Sequence, residues 1–150
     1  MSFIEKRLVR KGDVGPDEVR LEIPVALLTD AITSAAAAAA GTIYTADERY
    51  LISSDLLACA KAVYFEASVL GPATTGAASA ELYDVNAATV RASLSIAAAE
   101  NSPRKRSADI KASLVAGNEV VVRLNITTTL GSGETAKLRM ARLVIVAGIS

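Results

Sequence analysis

Residues 118–130 read NEVVVRLNITTTL, and this stretch decides the fold. Val120, Val122, Leu124 and Ile126 occupy every second position, and the residues between them are mostly polar. Side chains on a β-strand alternate between its two faces, so a period of two predicts a strand with one buried face. The stretch therefore predicts a β-strand that packs one side against a core.

The same alternation recurs throughout the second half of the chain. Segments rich in Gly, Pro, Asn and Ser separate the alternating runs and supply turn chemistry. No helical pattern lies between the runs to make parallel crossovers, so we predict antiparallel strands in a two-sheet β-sandwich. The predicted strands span residues 61–70, 78–85, 89–98, 107–115, 118–130 and 135–146.

The last predicted strand changes phase along its length. Leu138 and Met140 share one parity, whereas Leu143 and Ile145 have the other. One extra residue in a strand shifts the side chains after it to the other face, as in a β-bulge. We therefore predict a bulge at Met140–Ala141.

Three of these strands resemble a known class of sandwich. The segments are residues 64–67 (YFEA), 80–84 (AELYD) and 141–145 (ARLVI). Over residues 60–147 the strand pattern is similar to jelly-roll β-sandwiches of the galactose-binding-like type. The resemblance implies a carbohydrate-binding module or a structural part of a secreted or viral assembly. The chain departs from sugar-binding members in having no Trp.

The first third of the chain supports two alternatives. Val25–Ala40 contains six consecutive alanines and is followed by Gly41, which favours a helix that ends there. Several Thr and Ser residues in this segment favour an extended arm instead. We divide the chain into an N-terminal arm or short Ala-rich helix over residues 1–41, packed on its own or a neighbouring subunit, and a β-sandwich domain over residues 42–150.

Short elements are also predicted in the first sixty residues. A strand over residues 19–23 is expected to stop at Pro24, and residues 55–60 form a turn or begin the next strand. Strands over residues 42–45 and 50–53 flank the charged turn Asp47–Arg49.

Charge and hydropathy patterns limit the classes of partner that we expect. The chain has 16 acidic and 16 basic residues, and a protein that coats nucleic acid carries a basic excess, so no nucleic-acid partner is expected. No apolar run reaches about 18 residues, so no membrane span is expected. Met1–Lys11 lacks the apolar core of a secretory signal. We favour a virion or extracellular assembly as the location.

The residues for common catalytic centres are missing. Without His the chain has no Ser-His-Asp set and no His metal ligand. The single thiol, Cys59, is predicted to be buried and inert. Glu66 and Glu81 are predicted to point outward from consecutive strands as surface charges. We therefore expect no enzyme, no cofactor and no metal.

Loop residues offer little more chemistry. Asp84 and Asn86 supply oxygen ligands of the kind Ca²⁺ takes, but a turn-forming role fits two residues better. The glycines of Gly131–Gly133 are predicted to form a hairpin loop, since the P-loop Lys is missing. The chain has no His, Trp or Gln, and such depletion of thermolabile residue types favours a thermophilic origin.

Two groups of residues are candidates for interaction. Arg104, Lys105 and Arg106 form the densest basic cluster, which is either a solvated loop tip or a contact for phosphate or an acidic neighbour. Three valines fall on strand faces that alternation assigns to the outside, which suggests a covered surface, with the front third of the chain, from the same or another subunit, as the candidate cover. They are Val121, Val144 and Val146.

Our leading hypothesis is a non-catalytic structural protein that self-associates. It would be a virion shell or decoration subunit or a filament subunit, and its partners would be copies of itself or another shell protein. The alternative is a carbohydrate- or small-ligand-binding module that stacks its ligand on tyrosine rings. The candidate tyrosines are Tyr44, Tyr50, Tyr64 and Tyr83.

Overall fold

A computed structural model of the protein describes residues 19–149 as two antiparallel β-sheets of five strands each. The predicted all-β, two-sheet sandwich is confirmed. A short helix, α1 (Ser54–Cys59), and a 3₁₀ turn (Lys111–Ser113) accompany the strands. None of the helices in residues 19–149 has the length and apolar character that crossing a bilayer requires. The strands are β1 (Val19–Ala26), β2 (Ile32–Thr33), β3 (Ile43–Thr45), β4 (Tyr50–Leu51), β5 (Ala60–Leu70), β6 (Ala77–Asp84), β7 (Thr89–Ile96), β8 (Asn101–Arg106), β9 (Glu119–Thr128) and β10 (Lys137–Ile149).

The strand order is that of a jelly roll. The first sheet has the order β1-β10-β5-β8, with β2 also beside β10, and the second has β3-β9-β6-β7, with β4 also beside β9. Successive pairs therefore nest around the β6–β7 hairpin: β5 pairs with β8, β3 and β4 with β9, and β1 with β10. Rolling up one long antiparallel hairpin produces this order and splits it into two packed sheets.

The core lies between the sheets and follows the predicted alternation. Val120, Val122, Leu124 and Ile126 of β9 are all at most 1% exposed. They pack in one apolar cluster with residues of β5 such as Phe65, which is fully buried. The alternating positions in the sequence are therefore the core positions.

The predicted bulge in β10 is confirmed. The pairing of β10 with β5 shifts register between Leu138 and Met140, one residue before the predicted position. Beyond the shift, Ala141, Leu143 and Ile145 face the core and are at most 5% exposed. The extra residue keeps apolar side chains inward on both sides of the bulge.

The helix alternative for Val25–Ala40 is wrong: the segment contains the end of β1, strand β2 and a turn at residues 36–37, where Ala37 has a φ of +53°. Backbone N–H groups of Ser34 and Ala37 donate to carbonyl oxygens just before β10, at 2.9 and 3.0 Å. Leu27 and Ala38 are buried against the same sandwich. These tertiary hydrogen bonds and contacts outweigh the helix propensity of alanine. Residues 1–18 of the predicted arm lie outside the described residues.

Strand β1 does not stop at Pro24 but continues to Ala26. Because β1 is at the edge of its sheet, a residue without an N–H group is tolerated there. The N–H of Leu27 donates to the backbone carbonyl of Ala141, so the backbone groups of the odd-numbered residues of β1 point towards β10. The backbone nitrogen of Pro24, an even-numbered residue, therefore points to the open edge. Proline at this position protects the edge against a further strand.

Residues 107–115 do not form the predicted strand. The strand lies earlier, as β8, and side-chain oxygens of the next residues take over its role beside β5. Ser107 Oγ accepts from the N–H of Phe65 at 2.9 Å, and Asp109 Oδ1 accepts from the N–H of Val63 at 3.0 Å. These long-range side-chain hydrogen bonds, together with backbone bonds from Ser107 to Phe65 and from Ile110 to Val63, take the place of a regular strand ladder.

Two connections also differ from prediction. Residues 55–60 are mostly helical, because Ser53 Oγ accepts from the N–H of Leu56 and caps α1. The loop containing Gly131–Gly133 is not a hairpin loop, since β9 belongs to the second sheet and β10 to the first. It crosses from one sheet to the other.

Candidate functional site

The basic cluster lies in a strand and not at a solvated loop tip. Arg104, Lys105 and Arg106 belong to β8, which pairs with β5 at one edge of the first sheet. Arg106 lies opposite Glu66, so its side chain shares the outer face of the sheet with that carboxylate. Lys105 bonds separately to Glu100, at 2.7 Å.

Glu66 is the centre of an ionic network on this face. Although it points outward as predicted, its side chain is only 1% exposed, so its assignment as an ordinary surface charge is wrong. Arg104 and Arg142 donate to Oε1 at 3.1 and 2.7 Å, and Arg106 donates to Oε2 at 2.6 Å. Arg106 also reaches Glu22 of β1 at 2.8 Å. We call Arg104, Arg106 and Arg142 the arginine cluster.

Sequence reasoning did not bring this network together. Its members come from β1, β5, β8 and β10, and Glu66 and Arg142 are 76 residues apart. Outward parity on each strand was the available signal. It indicates the face on which a side chain lies, but not which strands are neighbours.

The arginine cluster keeps Glu66 ionised. Burial alone would raise the pKa of Glu66, but hydrogen bonds from Arg142, Arg104 and Arg106 outweigh it and lower the pKa to about 2. A carboxylate held in this way cannot act as a general acid near neutral pH. The network is suited to charge pairing and strand cross-linking.

We expect acid to weaken the fold through Glu66. Its pKa is about 2 in the folded protein and ordinarily 4.5, so its contribution is fully present above pH 4.5 and is lost as the pH falls towards 2. The shift corresponds to about 3 kcal/mol. Chemical denaturation from pH 7 to pH 2 measures this loss, to which Glu100, with a pKa also about 2, adds. Unfolding free energy that stays constant between pH 4.5 and 2 would contradict it.

The outer face of the second sheet has its own polar network. Glu81, predicted to be a surface charge, is 6% exposed. It accepts from Arg123 at 2.8 Å, Asn125 at 3.1 Å and Ser79 at 3.3 Å. Beside it, Tyr83 helps to line a cleft of about 400 Å³.

The four candidate tyrosines are not open stacking platforms. All are half-buried. The guanidinium of Arg106 lies 4.9 Å from the ring centre of Tyr64, and that of Arg123 lies 3.8 Å from that of Tyr83. Carbohydrate stacking stays a prediction, and the structure adds no support for it. Tyr44 and Tyr50 share the strand parity of the buried Leu124 and Val120 and face the sandwich interior.

The three outward valines do not form an open surface. Val121, Val144 and Val146 are 5%, 2% and 7% exposed within a single chain. Cross-strand neighbours cover them, as Tyr64 and Pro24 flank Val144. The cover over these valines therefore comes from within the chain, and Pro24 of the front third is part of it.

Asp84 has the predicted role in a turn, whereas Asn86 bonds to β9 instead. Asp84 accepts from the N–H of Ala87 at 2.9 Å and from Arg91 and Asn118, and Asn86 accepts from the N–H of Glu119 at 2.8 Å. Residues 19–149 contain no group of three or more acidic or thiol side chains placed to hold a metal ion.

The thiol of Cys59 is exposed, which corrects the prediction that it is buried. Cys59 ends α1, and none of the residues of this short helix is buried. Its Sγ donates weakly to the carbonyl of Leu56 at 3.5 Å.

One flank of the sandwich combines apolar and acidic residues. There β2 adjoins β3, since residues 30–32 and 45–48 line one cavity of about 140 Å³, and the end of β1 adjoins β4, since Ala26 and Tyr50 line a second cavity. Asp30, Asp47 and Glu48 are exposed along it and form no ion pair with any other residue of 19–149. Four of the seven large hydrophobic side chains that are exposed belong to these edge strands. They are Leu21, Ile23, Ile43 and Leu51.

Comparison with known proteins gives no match, so the proposed function depends on the geometry described above. The chain matches no protein-family model, no curated protein and no solved structure.

Proposed function

We propose that the protein is a non-catalytic structural subunit that self-associates. The form we favour is a virion shell or decoration subunit, and a filament subunit is the other form. Copies of the same chain are the main partner, and a second shell protein is a further one. Location in a virion or an extracellular assembly belongs to the same proposal.

The flank formed by β1, β2, β3 and β4 carries this proposal. Leu21, Ile23, Ile43 and Leu51 are 37%, 47%, 43% and 55% exposed. A single exposed apolar side chain is ordinary, but several on neighbouring edge strands are typical of a surface that binds protein. Burying them in a contact between copies would remove this apolar area from water.

The fold is compatible with this role. Jelly rolls occur in viral capsid and lectin domains. One fold hosts many functions, so the argument depends on the surface and not on the strand order.

The wild-type protein is expected to form oligomers or larger assemblies in solution. Light scattering after size-exclusion chromatography measures the mass over a concentration series, and negative-stain images show the form of any assembly. Leu51→Ser is expected to weaken association about tenfold, since burial of a leucine contributes about 1.5 kcal/mol or more.

Val90→Ser is the matched control. Val90 is 39% exposed and belongs to β7, at the edge of the second sheet opposite β3. Its replacement should leave association unchanged. A wild-type protein that remains monomeric at millimolar concentration contradicts the proposed function.

A further inference from the structure

The outer face of the first sheet carries an excess of positive charge. The three guanidinium groups of the arginine cluster face two carboxylates, Glu66 and Glu22, which leaves one positive charge in excess. Arg104 is the most accessible member, with a side chain 62% exposed. Among residues 19–149, only its Nε has a hydrogen-bond partner. The two terminal nitrogens of Arg104 therefore retain donors that can bind an acidic group from outside.

The flank carries the opposite charge. Asp30, Asp47 and Glu48 lie together there, and Arg49, their neighbour along the chain, is 3.9 Å from Glu119. The whole chain has no net charge, so the two surfaces are complementary in sign on a neutral protein. Neutrality removes the long-range repulsion that would keep copies apart.

The two surfaces lie on separate parts of the sandwich. Arg104 and Arg106 belong to β8 at one edge of the first sheet, whereas Asp30 follows β1 and Asp47 and Glu48 lie in the β3–β4 connection of the second sheet. Within residues 19–149, the three acidic residues form no ion pair with the arginine cluster of their own chain. They can, however, meet the β8 edge of a second copy.

We propose that copies of this chain join head to tail, with the acidic flank of one copy docked on the arginine cluster of the next. This inference rests on the proposed self-association and names the surfaces that meet. Exposed ion pairs contribute little alone, so the pairs set register and the apolar residues of the flank supply most of the binding. A contact between two different surfaces generates a closed ring or an open filament, depending on the rotation between copies.

Charge exchange tests the pairing. Arg104→Glu makes the cluster acidic, and Asp47→Lys with Glu48→Lys makes the flank basic, so each variant alone places like charges in contact. We expect each to weaken association about tenfold or more. The chain that carries all three substitutions again has opposite charges and is expected to recover association close to wild type. Mixing the two separate variants should also restore it.

The controls separate the pairing from the fold and from self-association as such. Lys61→Glu changes an exposed lysine of β5 outside the cluster and should leave association unchanged. Thermal unfolding shows whether each variant is folded. If Arg104→Glu is unfolded, Arg104→Ser is measured in its place. The variant Asp47→Lys with Glu48→Lys gives a second test of the same contact, because neither residue contacts Glu66.

The outcomes are distinguishable by sedimentation at low and high salt. Weakened single variants, recovery in the combined chain and weaker wild-type association at high salt support the pairing. A wild type that associates while the folded charge variants associate equally well overturns the pairing and leaves self-association standing. Loss in the variants without recovery in the combined chain also overturns it. A monomeric wild type overturns the proposed function itself.

Discussion

Replacing Glu66 with glutamine is expected to lower the free energy of unfolding by about 3 kcal/mol at neutral pH. The carboxylate is 1% exposed and accepts from Arg104, Arg106 and Arg142 at 2.6–3.1 Å. A neutral amide leaves three guanidinium groups side by side with no central negative charge. Their mutual repulsion and the lost charge-assisted hydrogen bonds both favour the unfolded chain.

The pH dependence of this variant checks the cause. Wild-type Glu66 becomes protonated as the pH falls through its folded pKa of about 2, so the difference between wild type and Glu66→Gln should shrink between pH 4.5 and 2. Denaturant unfolding of both proteins at equal concentration measures the difference. A loss below about 1 kcal/mol at pH 7 would contradict a central role for this carboxylate.

Glu119→Gln is the matched control for the carboxylate. Glu119 is 45% exposed and lies 3.9 Å from Arg49, so it is a surface ion pair. Surface pairs contribute about 0–1 kcal/mol, and the control should therefore change the stability little. The contrast between the two carboxylates tests burial and the number of partners.

Replacing Gly71 with alanine is expected to destabilise the fold by about 3 kcal/mol. A Cβ atom at this position would lie 1.9 Å from the carbonyl oxygen of Ala97 and 3.3 Å from the backbone nitrogen of Glu100. Both contacts are with backbone, which cannot rotate away as a side chain does. The N–H of Gly71 also donates to the carbonyl of Glu100 at 2.7 Å, so the β5–β6 and β7–β8 connections would have to separate.

Gly117→Ala provides the comparison for this variant. Gly117 has a φ of +89°, but no atom lies within 4 Å of an added Cβ. Its replacement incurs only the strain of the left-handed conformation, about 1–2 kcal/mol. Circular dichroism during urea titration measures both variants. If alanine at position 71 is tolerated as well as at position 117, the close approach of the two connections is wrong.

The alternating stretches show how far local pattern reaches. The predicted strands over residues 61–70, 78–85, 89–98, 118–130 and 135–146 correspond to β5, β6, β7, β9 and β10, and the bulge in β10 lies within one residue of its predicted position. A period of two is a property of neighbouring residues, so it is legible without knowing the partner strand.

The errors arise where distant groups decide the conformation. The alanine run is not helical, because Ser34 and Ala37 donate to residues about a hundred positions later in the chain. Intrinsic helix propensity does not take such distant bonds into account. Residues 107–115 alternate like a strand, yet Ser107 and Asp109 satisfy the backbone of β5 with side-chain oxygens. In both segments, long-range hydrogen bonds replaced the ladder or helix that the local pattern predicts.

The sequence by itself determined which residues face the core, because burial of apolar side chains imposes a period that neighbouring residues reveal. It also determined that the protein would be an all-β sandwich. Only the tertiary structure decided which strands are neighbours, and therefore that Glu66 lies among three arginines and that Asp30, Asp47 and Glu48 meet at one cavity. Strand order depends on contacts between residues far apart in the chain, and alternation carries no record of them.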